Sequence, residues 1–301
     1  HLMNNYGRLP VSFDHGQGVW LWDKEGHKYL DALAGIAVNS VGHAHPRLVR
    51  AIADQASKLI HCSNYFNIDL QEKVAEKLVE HSGLEAVFFC NSGLEANECA
   101  IKIARKFGHA KGIEVPNIIV LKHAFHGRSI ATLSATGNPS VREDFSPYTE
   151  GFIFVDESDL DGIRKIVEEN KNVVAIFFEP ILGEGGVVPI DLSVIKGIRE
   201  ICDEHDLLMM CDEVQCGMGR SGKWFAHQWA EIKPDVITMA KGLAGGVPVG
   251  AVIVSEKANI FKPGNHGSTF GGNPLAMRAA LETLSIIAVS YTHLRAHETD
   301  Q

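Results

Sequence analysis

From about residue 85 onward, short and continuously apolar runs alternate with amphipathic segments, and this alternation constrains the fold more than any other feature. It is typical of βαβ units, in which helices cover both faces of a mostly parallel sheet and leave its strands without a wet side. We therefore predict an α/β protein with a mostly parallel seven-stranded sheet. The predicted strands are Val87–Cys90, Ile118–Leu121, Phe152–Val155, Val173–Phe178, Leu207–Cys211, Val236–Met239 and Ala251–Val254.

The first 45 residues follow a different pattern. Glycines punctuate short alternating pieces such as Val19–Trp22, which predict antiparallel strands in a separate and smaller layer. A helix from Pro46 to about Leu59 leads into the main sheet, with proline at the favourable first helical position. Further predicted helices span Leu160–Glu169 and Leu192–His205, the second of them behind Asp191 as a helix cap.

Composition excludes several classes of protein. The 301 residues are 45% hydrophobic and 22% charged, which is ordinary for a globular enzyme and unlike a disordered chain or a coiled coil. A net charge of −9 opposes general binding to nucleic acid or anionic membranes. No apolar run reaches the ~20 residues of a membrane helix. Six cysteines without a CxxC pair or a signal peptide suggest reduced thiols, and we expect a cytoplasmic protein.

Polar residues follow four of the predicted strands, at the sheet edge where open α/β proteins bind their ligands. Asn91-Ser92-Gly93 follows Cys90, and Glu179 follows Phe178. Asp212 and Glu213 follow Cys211, and Lys241 lies just beyond Met239. Acidic and basic groups at the ends of buried strands are expected to share one crevice.

These residue types fit a pyridoxal phosphate pocket. Ser92 and Gly93 begin a helical pattern that runs to about Phe107, and free N–H groups at a helix start bind phosphate. Lys241 follows an apolar strand, where burial favours the neutral amine that Schiff-base formation requires. Asp212 would keep the pyridine nitrogen protonated. Phe125 would stack on the ring, and Arg128 offers a fork for a substrate carboxylate.

Other classes of function fit less well. His43 and His45 form an HxH pair that is found in some metal-dependent hydrolases, but His45 precedes a helix start and the chain lacks eight βα units, so we expect no metal site. A nicotinamide-dependent oxidoreductase would carry a GxGxxG motif after the first strand of the sheet, and none is present. A chain that binds the cofactor without turnover stays an alternative.

An ordered set of motifs resembles the class III, fold type I, pyridoxal phosphate-dependent aminotransferases, over about residues 8–283. The motifs are Phe125-His126-Gly127-Arg128, Glu179-Pro180 through Gly183-Glu184-Gly185-Gly186, Asp212-Glu213-Val214-Gln215, Ala240-Lys241-Gly242 and Gly267-Ser268-Thr269-Phe270-Gly271-Gly272-Asn273-Pro274. Leu94 and Leu182 depart from the family pattern, in which Ala or Thr and Gln are usual.

The resemblance implies a role for each matching residue. Lys241 and Asp212 are the catalytic pair: Lys241 attaches the cofactor as a Schiff base, and Asp212 pairs with its ring nitrogen. Substrate would meet Arg128, Glu184 and Ser268, and Glu179 would support the region of Gln215. Residues expected at the cofactor are Ser92, Gly93, Leu94, Phe125, His126, Asp212, Glu213, Val214, Gln215, Lys241 and Thr269, the last from the neighbouring subunit of a homodimer whose active site lies at the interface.

The resemblance also implies a reaction and a division into domains. The expected reaction is transamination of N2-acetyl-L-ornithine with 2-oxoglutarate in arginine biosynthesis, with succinylornithine, ornithine or 4-aminobutyrate as alternative amine donors. Residues 1–45 would belong to a small domain, 46–275 would form the large cofactor-binding domain, and 276–289 would start a C-terminal helix. The rest of the family's C-terminal domain is largely missing, and we interpret residues 290–301 as a non-native tail.

Overall fold

The computed structural model describes residues 1–299, and it describes side chains through residue 289. An antiparallel three-stranded layer comes first, as the alternating N-terminal pieces predict. Its strands are β1 (Phe13–Gln17), β2 (Trp20–Asp23) and β3 (Lys28–Leu30). The later strands are β4 (Ala86–Cys90), β5 (Asn117–Leu121), β6 (Phe152–Val155), β7 (Val173–Phe178), β8 (Ile181–Leu182), β9 (Val188–Pro189), β10 (Leu208–Asp212), β11 (Val236–Met239) and β12 (Gly250–Val254).

Seven of these strands form the main sheet in the order β4-β12-β11-β10-β7-β5-β6, and β8 pairs with β9 in a small hairpin. The seven predicted strands are confirmed, with each end within one residue of its predicted place. Strand β12 runs antiparallel to both of its neighbours, β11 and β4, whereas the other pairs of the main sheet are parallel. The carboxyl ends of six strands therefore meet at one edge, and β12 contributes its amino end there.

Helices connect the strands, and their starts agree closely with the sequence. They are α1 (Ala34–Ala37), α2 (Pro46–Ala56), α3 (Asp69–Ser82), α4 (Gly93–Ala110), α5 (Ile130–Ala135), α6 (Leu160–Glu169), α7 (Leu192–Glu204) and α8 (Pro274–Thr299). Helix α2 ends at Ala56, three residues before the predicted end. The Asp191 side chain caps α7 by accepting from the N–H of Ser193. The helical backbone of α8 includes most of the predicted 290–301 tail, and residues 300 and 301 lie outside the described residues.

Helices bury both faces of the sheet, which explains why its strands are continuously apolar. Alternate residues of β5 show the arrangement: Ile118 and Val120 pack with α4, whereas Ile119 and Leu121 pack with α6 and α7. A third cluster joins α2, α3 and α8 to β11 and β12. Within the described residues, no helix is both long and apolar enough to cross a membrane.

Close contact between backbone segments fixes the geometry of the sheet edge at which the predicted site residues lie. Gly250, at the amino end of β12, lies against the end of β4. A Cβ added at Gly250 would lie 2.7 Å from the sulfur of Cys90 and 2.8 Å from the carbonyl carbon of Ser92. Glycine therefore lets β12 approach the turn between β4 and α4, and this turn forms one wall of the site.

Candidate active site

A cavity of about 450 Å³ opens at this edge, and most of the residues predicted for the site line it. The turn after β4 provides one wall, the loops after β5 and β7 provide a second, and the ends of β10 and β11 provide the floor. The predicted residues that line the cavity are Ser92, Gly93, Leu94, Phe125, His126, Arg128, Glu179, Glu184, Asp212, Val214, Gln215 and Lys241.

Asp212 is held rigidly at the end of β10. Its side chain is buried, and Oδ2 accepts from Nδ2 of Asn97 and from Nδ1 of His126, both at 2.8 Å. Oδ1 accepts from the N–H of Val214 at 3.0 Å. The His126 ring in turn stacks on Phe177, with 4.1 Å between ring centroids. Three donors and the packing of His126 on Phe177 thus fix both the orientation of the carboxylate and the tautomer of His126, with its proton on Nδ1.

Asn97 is a site residue for which the sequence analysis assigned no role. It lies one turn into α4, is buried, and also donates from Nδ2 to the carbonyl of His126 at 2.7 Å. Its neighbours on the buried face of α4 are small or apolar residues, such as Ala96, Ala100 and Ile101. A lone polar side chain on such a face needs a buried partner, and this signal is present in the sequence.

Lys241 lies just past the end of β11, in a short 3-10 turn, and it has a left-handed backbone with φ +35°. Burial lowers the pKa of its ammonium group, and the nearby carboxylates of Asp212, Glu184 and Glu179 act in the opposite direction. The side chain is half-buried. A lysine with a lowered pKa that opens on a cavity is poised to react as the neutral amine.

The start of α4 is built to receive an anion. Ser92 caps the helix, with Oγ accepting from the N–H of Glu95 at 3.2 Å. The N–H groups of Gly93 and Leu94 belong to the first turn, which has no intrahelical acceptor for them, and both residues line the cavity. A Cβ at Gly93 would lie 2.6 Å from Cγ1 of Val214, so glycine is required for this wall to close on the cavity.

Glu179 joins two loops across the cavity. Its buried carboxylate accepts from the N–H of Phe125 at 2.8 Å and from the N–H of Gly183 at 3.2 Å. One loop carries Phe125 and Arg128, and the other carries Glu184. Burial, reinforced by the charge of Asp212, raises the pKa of Glu179 to about 7.

The guanidinium of Arg128 lies over the Phe125 ring, with 5.8 Å from Cζ to the ring centroid. Glu184 is exposed where its loop meets the cavity. An arginine fork and a carboxylate therefore flank the opening through which a substrate would enter. His43, one half of the HxH pair, instead contacts Asp31 with 2.6 Å between Nε2 and Oδ2.

Glu213, Ser268 and Thr269 do not line this cavity. The fully buried carboxylate of Glu213 points away from it and accepts from the N–H groups of Ala226 and His227 and from Nδ1 of His227. Ser268 accepts from Nδ2 of Asn91 at 3.2 Å, behind the start of α4. Thr269 is exposed on the surface.

The donor set fits pyridoxal phosphate, which needs an amine for its aldehyde, an acid for its ring nitrogen and N–H groups for its phosphate. Lys241, Asp212 and the start of α4 present these groups to one cavity. An α/β sheet with this site at its carboxyl edge defines a fold type I, pyridoxal phosphate-dependent enzyme.

Comparison with known proteins gives the family. The profile described as "Aminotransferase class-III" matches residues 2–301, and the chain belongs to this family. It is 56% identical over 288 residues to the acetylornithine aminotransferase of Nitrosomonas europaea, an alignment that covers 95% of this chain and 73% of that protein.

Solved structures agree with the fold. The ornithine aminotransferase of Toxoplasma gondii ME49 superposes with a TM-score of 0.92 at 35% identity, covering 96% of this chain and 70% of that one. The N-acetylornithine aminotransferase of Stenotrophomonas maltophilia K279a superposes with a TM-score of 0.80 at 38% identity, covering 94% and 70%. The predicted family, fold class, cofactor and enzyme class are confirmed.

Proposed function

We propose that this enzyme transfers the terminal amino group of N2-acetyl-L-ornithine to 2-oxoglutarate, giving N-acetylglutamate semialdehyde and glutamate. The observation that carries the proposal is the 56% identity to an acetylornithine aminotransferase across 95% of this chain. The cavity that joins Lys241, Asp212 and the start of α4 is consistent with it. Ornithine is the second candidate donor, because an ornithine aminotransferase superposes with a TM-score of 0.92.

The two catalytic residues have separate tasks. Bound pyridoxal phosphate supplies an electron sink for the charge that develops on the substrate carbon. Lys241 would hold the cofactor covalently through Nζ, and the same amine, once free, would take up the proton that leaves the amine-bearing carbon of the donor. Burial lowers the pKa of this amine, which favours the neutral form that acts as a base. The carboxylate of Asp212 would pair with the ring nitrogen of the bound cofactor and hold a proton on it.

The other cavity residues bind and orient. We assign the phosphate to Ser92, Gly93 and Leu94, and the ring to Phe125 and Val214, which line the same cavity. Arg128 holds the α-carboxylate of the donor in a bidentate pair. Glu184 stands at the entrance and distinguishes substrates with and without a second carboxylate.

His126 and Gln215 complete the cofactor site. His126 acts through Asp212, to which it donates at 2.8 Å. Gln215, which lines the cavity, would lie near the phenolic oxygen of the bound cofactor. Ser268 reaches substrate from the turn behind α4. For Glu213, the buried contacts with Ala226 and His227 support a different role, which is to anchor the start of the loop that carries Val214 and Gln215.

We further propose a homodimer in which Thr269 completes the phosphate site of the neighbouring subunit. The exposure of Thr269 outside its own cavity supports this arrangement. In the proposed domain division, residues 1–45 belong to a small domain, 46–275 form the large domain and 276–289 begin the C-terminal helix. The six cysteines are all free, which fits a reducing cytoplasm.

The visible absorption spectrum of the protein with pyridoxal phosphate tests the proposal. Wild-type protein should show the band of the lysine-bound cofactor, and Lys241→Ala should lack it. N-acetylornithine should convert that band to the one of the aminated cofactor, and 2-oxoglutarate should restore it. Succinylornithine, ornithine and 4-aminobutyrate are tested in parallel.

Each result has a clear meaning. Faster conversion by one of the other amines would replace the proposed donor. A band that no amine changes would mean that the chain binds the cofactor without turnover. The absence of any band would overturn the assignment of Lys241.

A further inference from the structure

Two side-chain amides clamp the turn formed by residues 268–272, called here the 268–272 turn. Asn64 lies between α2 and α3, and its Nδ2 donates to the carbonyls of Ser268 and Gly271, both at 2.9 Å. Gln71, in the first turn of α3, donates from Nε2 to the carbonyl of Gly272 at 2.8 Å and to Oδ1 of Asn64 at 2.7 Å. The segment before α3 is thereby tied to a turn some 200 residues further along the chain.

This clamp uses every hydrogen that the two amides carry. Each amide nitrogen has two hydrogens, and three of the four go to backbone carbonyls of the turn, while the fourth links the two amides. Carbonyl oxygens only accept, so no other orientation of the amides satisfies the same contacts. The clamp therefore requires amides, and a carboxylate of the same shape would face the carbonyls without a proton to donate.

The turn is also fixed from its other side. A Cβ at Gly271 would lie 2.7 Å from Cα of Cys90, so the turn rests against the end of β4. Gly272 has φ +76°, and a Cβ there would lie 2.8 Å from Cδ of Gln71. The Ser268 hydroxyl accepts from the N–H of Gly271 at 2.9 Å and from Asn91. Residue 269 is thus held on a tightly determined backbone, yet its own side chain is exposed.

We propose that Asn64 and Gln71 are positioning residues that set the shape of the 268–272 turn so that Thr269 binds the cofactor phosphate of the second subunit. This inference rests on the homodimer proposed above, and it adds two residues that shape the proposed intersubunit phosphate site. Neither amide lines the cavity of its own chain. Their effect is therefore expected in the neighbouring site, transmitted through the turn.

Asn64→Asp and Gln71→Glu test the clamp, because each keeps the shape of the side chain and removes its donors. Asn172→Asp makes the same chemical change on an exposed residue beside the start of β7, at the opposite edge of the sheet. We expect Asn64→Asp to weaken binding of pyridoxal phosphate to the apoprotein about tenfold, since the two hydrogen bonds from Nδ2 of Asn64 to the turn are lost. Binding of pyridoxal, which lacks the phosphate, should be unchanged in all variants.

The ratio of the affinities for pyridoxal phosphate and for pyridoxal distinguishes a positioning role from a general loss of stability. A loss of stability would weaken pyridoxal and pyridoxal phosphate alike, whereas a displaced Thr269 weakens the phosphate form alone. The dimer fraction, measured by sedimentation, should match that of the control, and the midpoint of urea unfolding reports any general loss of stability separately. Equal affinities of wild type and Asn64→Asp for pyridoxal phosphate would overturn the inference.

Mixed dimers, purified with two different affinity tags, locate the effect. In the first, a Lys241→Ala chain is paired with an Asn64→Asp chain, so the site that keeps its lysine receives an intact turn and should bind normally. In the second, a chain with both substitutions is paired with a wild-type chain. The site that keeps its lysine then receives the altered turn, and its affinity should fall about tenfold.

The outcomes distinguish failure of this inference from failure of the proposed function. The reverse order of affinities would mean that the turn serves its own chain, which overturns the transmitted effect. Wild-type protein that sediments as a monomer but binds the cofactor at full affinity would overturn both the homodimer and this inference. Wild-type protein that forms dimers without binding the cofactor would overturn the proposed function itself.

Discussion

Glu179 offers a quantitative test of the electrostatics of the cavity. Its side chain is 5% exposed, and burial is the main cause that raises its pKa to about 7 from an ordinary value of 4.5. The charge of Asp212 adds to the increase, while His126 and the N–H groups of Phe125 and Gly183 act against it. The folded state therefore holds a proton on Glu179 over a range of pH in which the unfolded chain has lost it.

The sign of the effect on stability follows from this difference. Because the folded protein binds the proton more tightly, the contribution of Glu179 to stability is fully present below pH 4.5 and is lost as the pH rises through about 7. A change of one pKa unit corresponds to about 1.4 kcal/mol, so ionisation of Glu179 should cost about 3 kcal/mol of unfolding free energy by pH 8. The group is buried, so solvent does not screen this effect appreciably.

Glu179→Gln should remove this pH dependence. Glutamine cannot ionise, and it retains one oxygen for the two N–H donors, so the loss of a hydrogen bond adds an offset of about 1 kcal/mol that does not vary with pH. We expect the stability of the variant relative to wild type to rise by about 3 kcal/mol between pH 4.5 and pH 8. The rest of the chain is the same in both proteins, so the comparison isolates the effect of replacing Glu179.

Urea unfolding of the two apoproteins, followed by tryptophan fluorescence at several pH values, measures this difference. Glu169→Gln, on an exposed part of α6, is the control for the change from glutamate to glutamine. The control should keep the steeper loss of stability with rising pH that wild type shows. Parallel curves for wild type and Glu179→Gln would refute the argument that burial controls the protonation of Glu179.

Three further variants test individual parts of the site. Gly93→Ala places a Cβ 2.6 Å from Val214, so it should raise the dissociation constant of pyridoxal phosphate about tenfold in a spectral titration, and an unchanged constant would contradict the assignment of the phosphate to the start of α4. Asp212→Asn should slow single-turnover reaction with N-acetylornithine by orders of magnitude, because a neutral amide does not hold a proton on the ring nitrogen; near-normal rates would exclude that role. Arg128→Lys should raise KM more than it lowers kcat in steady-state assays, since an ammonium lacks the planar fork, and an unchanged KM would assign the carboxylate to another residue.

The main sheet is readable from the sequence because each of its strands is apolar on both sides. Strand β7, Val173–Phe178, is buried at every position, and a run of this kind bounded by polar residues has few other interpretations. The direction of β12 is harder to predict from the sequence. Its sequence is as apolar as that of its neighbours, and its antiparallel course depends on the connection between β11 and β12.

The sequence predicts the positions of those site residues that directly follow a strand. Asp212 and Lys241 follow their strands directly, and they line the cavity. Glu213 shows the limit of the rule, because successive side chains near a strand end point to opposite sides of the sheet. Two adjacent acids therefore face different surroundings: Asp212 meets the cavity, and Glu213 meets the backbone of Ala226 and His227.

Contacts between distant segments set the remaining geometry, and a local pattern such as the polar Asn97 on a buried helix face indicates a partner without saying which residue it is. The carboxylate of Asp212 is oriented by Asn97 from α4 and by His126 from the loop after β5, which lie 115 and 86 residues away in the chain. Asn64 and Ser268 are separated by 204 residues. A position directly after a strand places a reactive group at the ligand-binding edge of the sheet. The orientation of that group depends on partners that only the completed fold brings together. The structure therefore adds to the sequence the pairing of each reactive group with the residues that orient it, and around Asp212 these are an amide and a histidine rather than further charges.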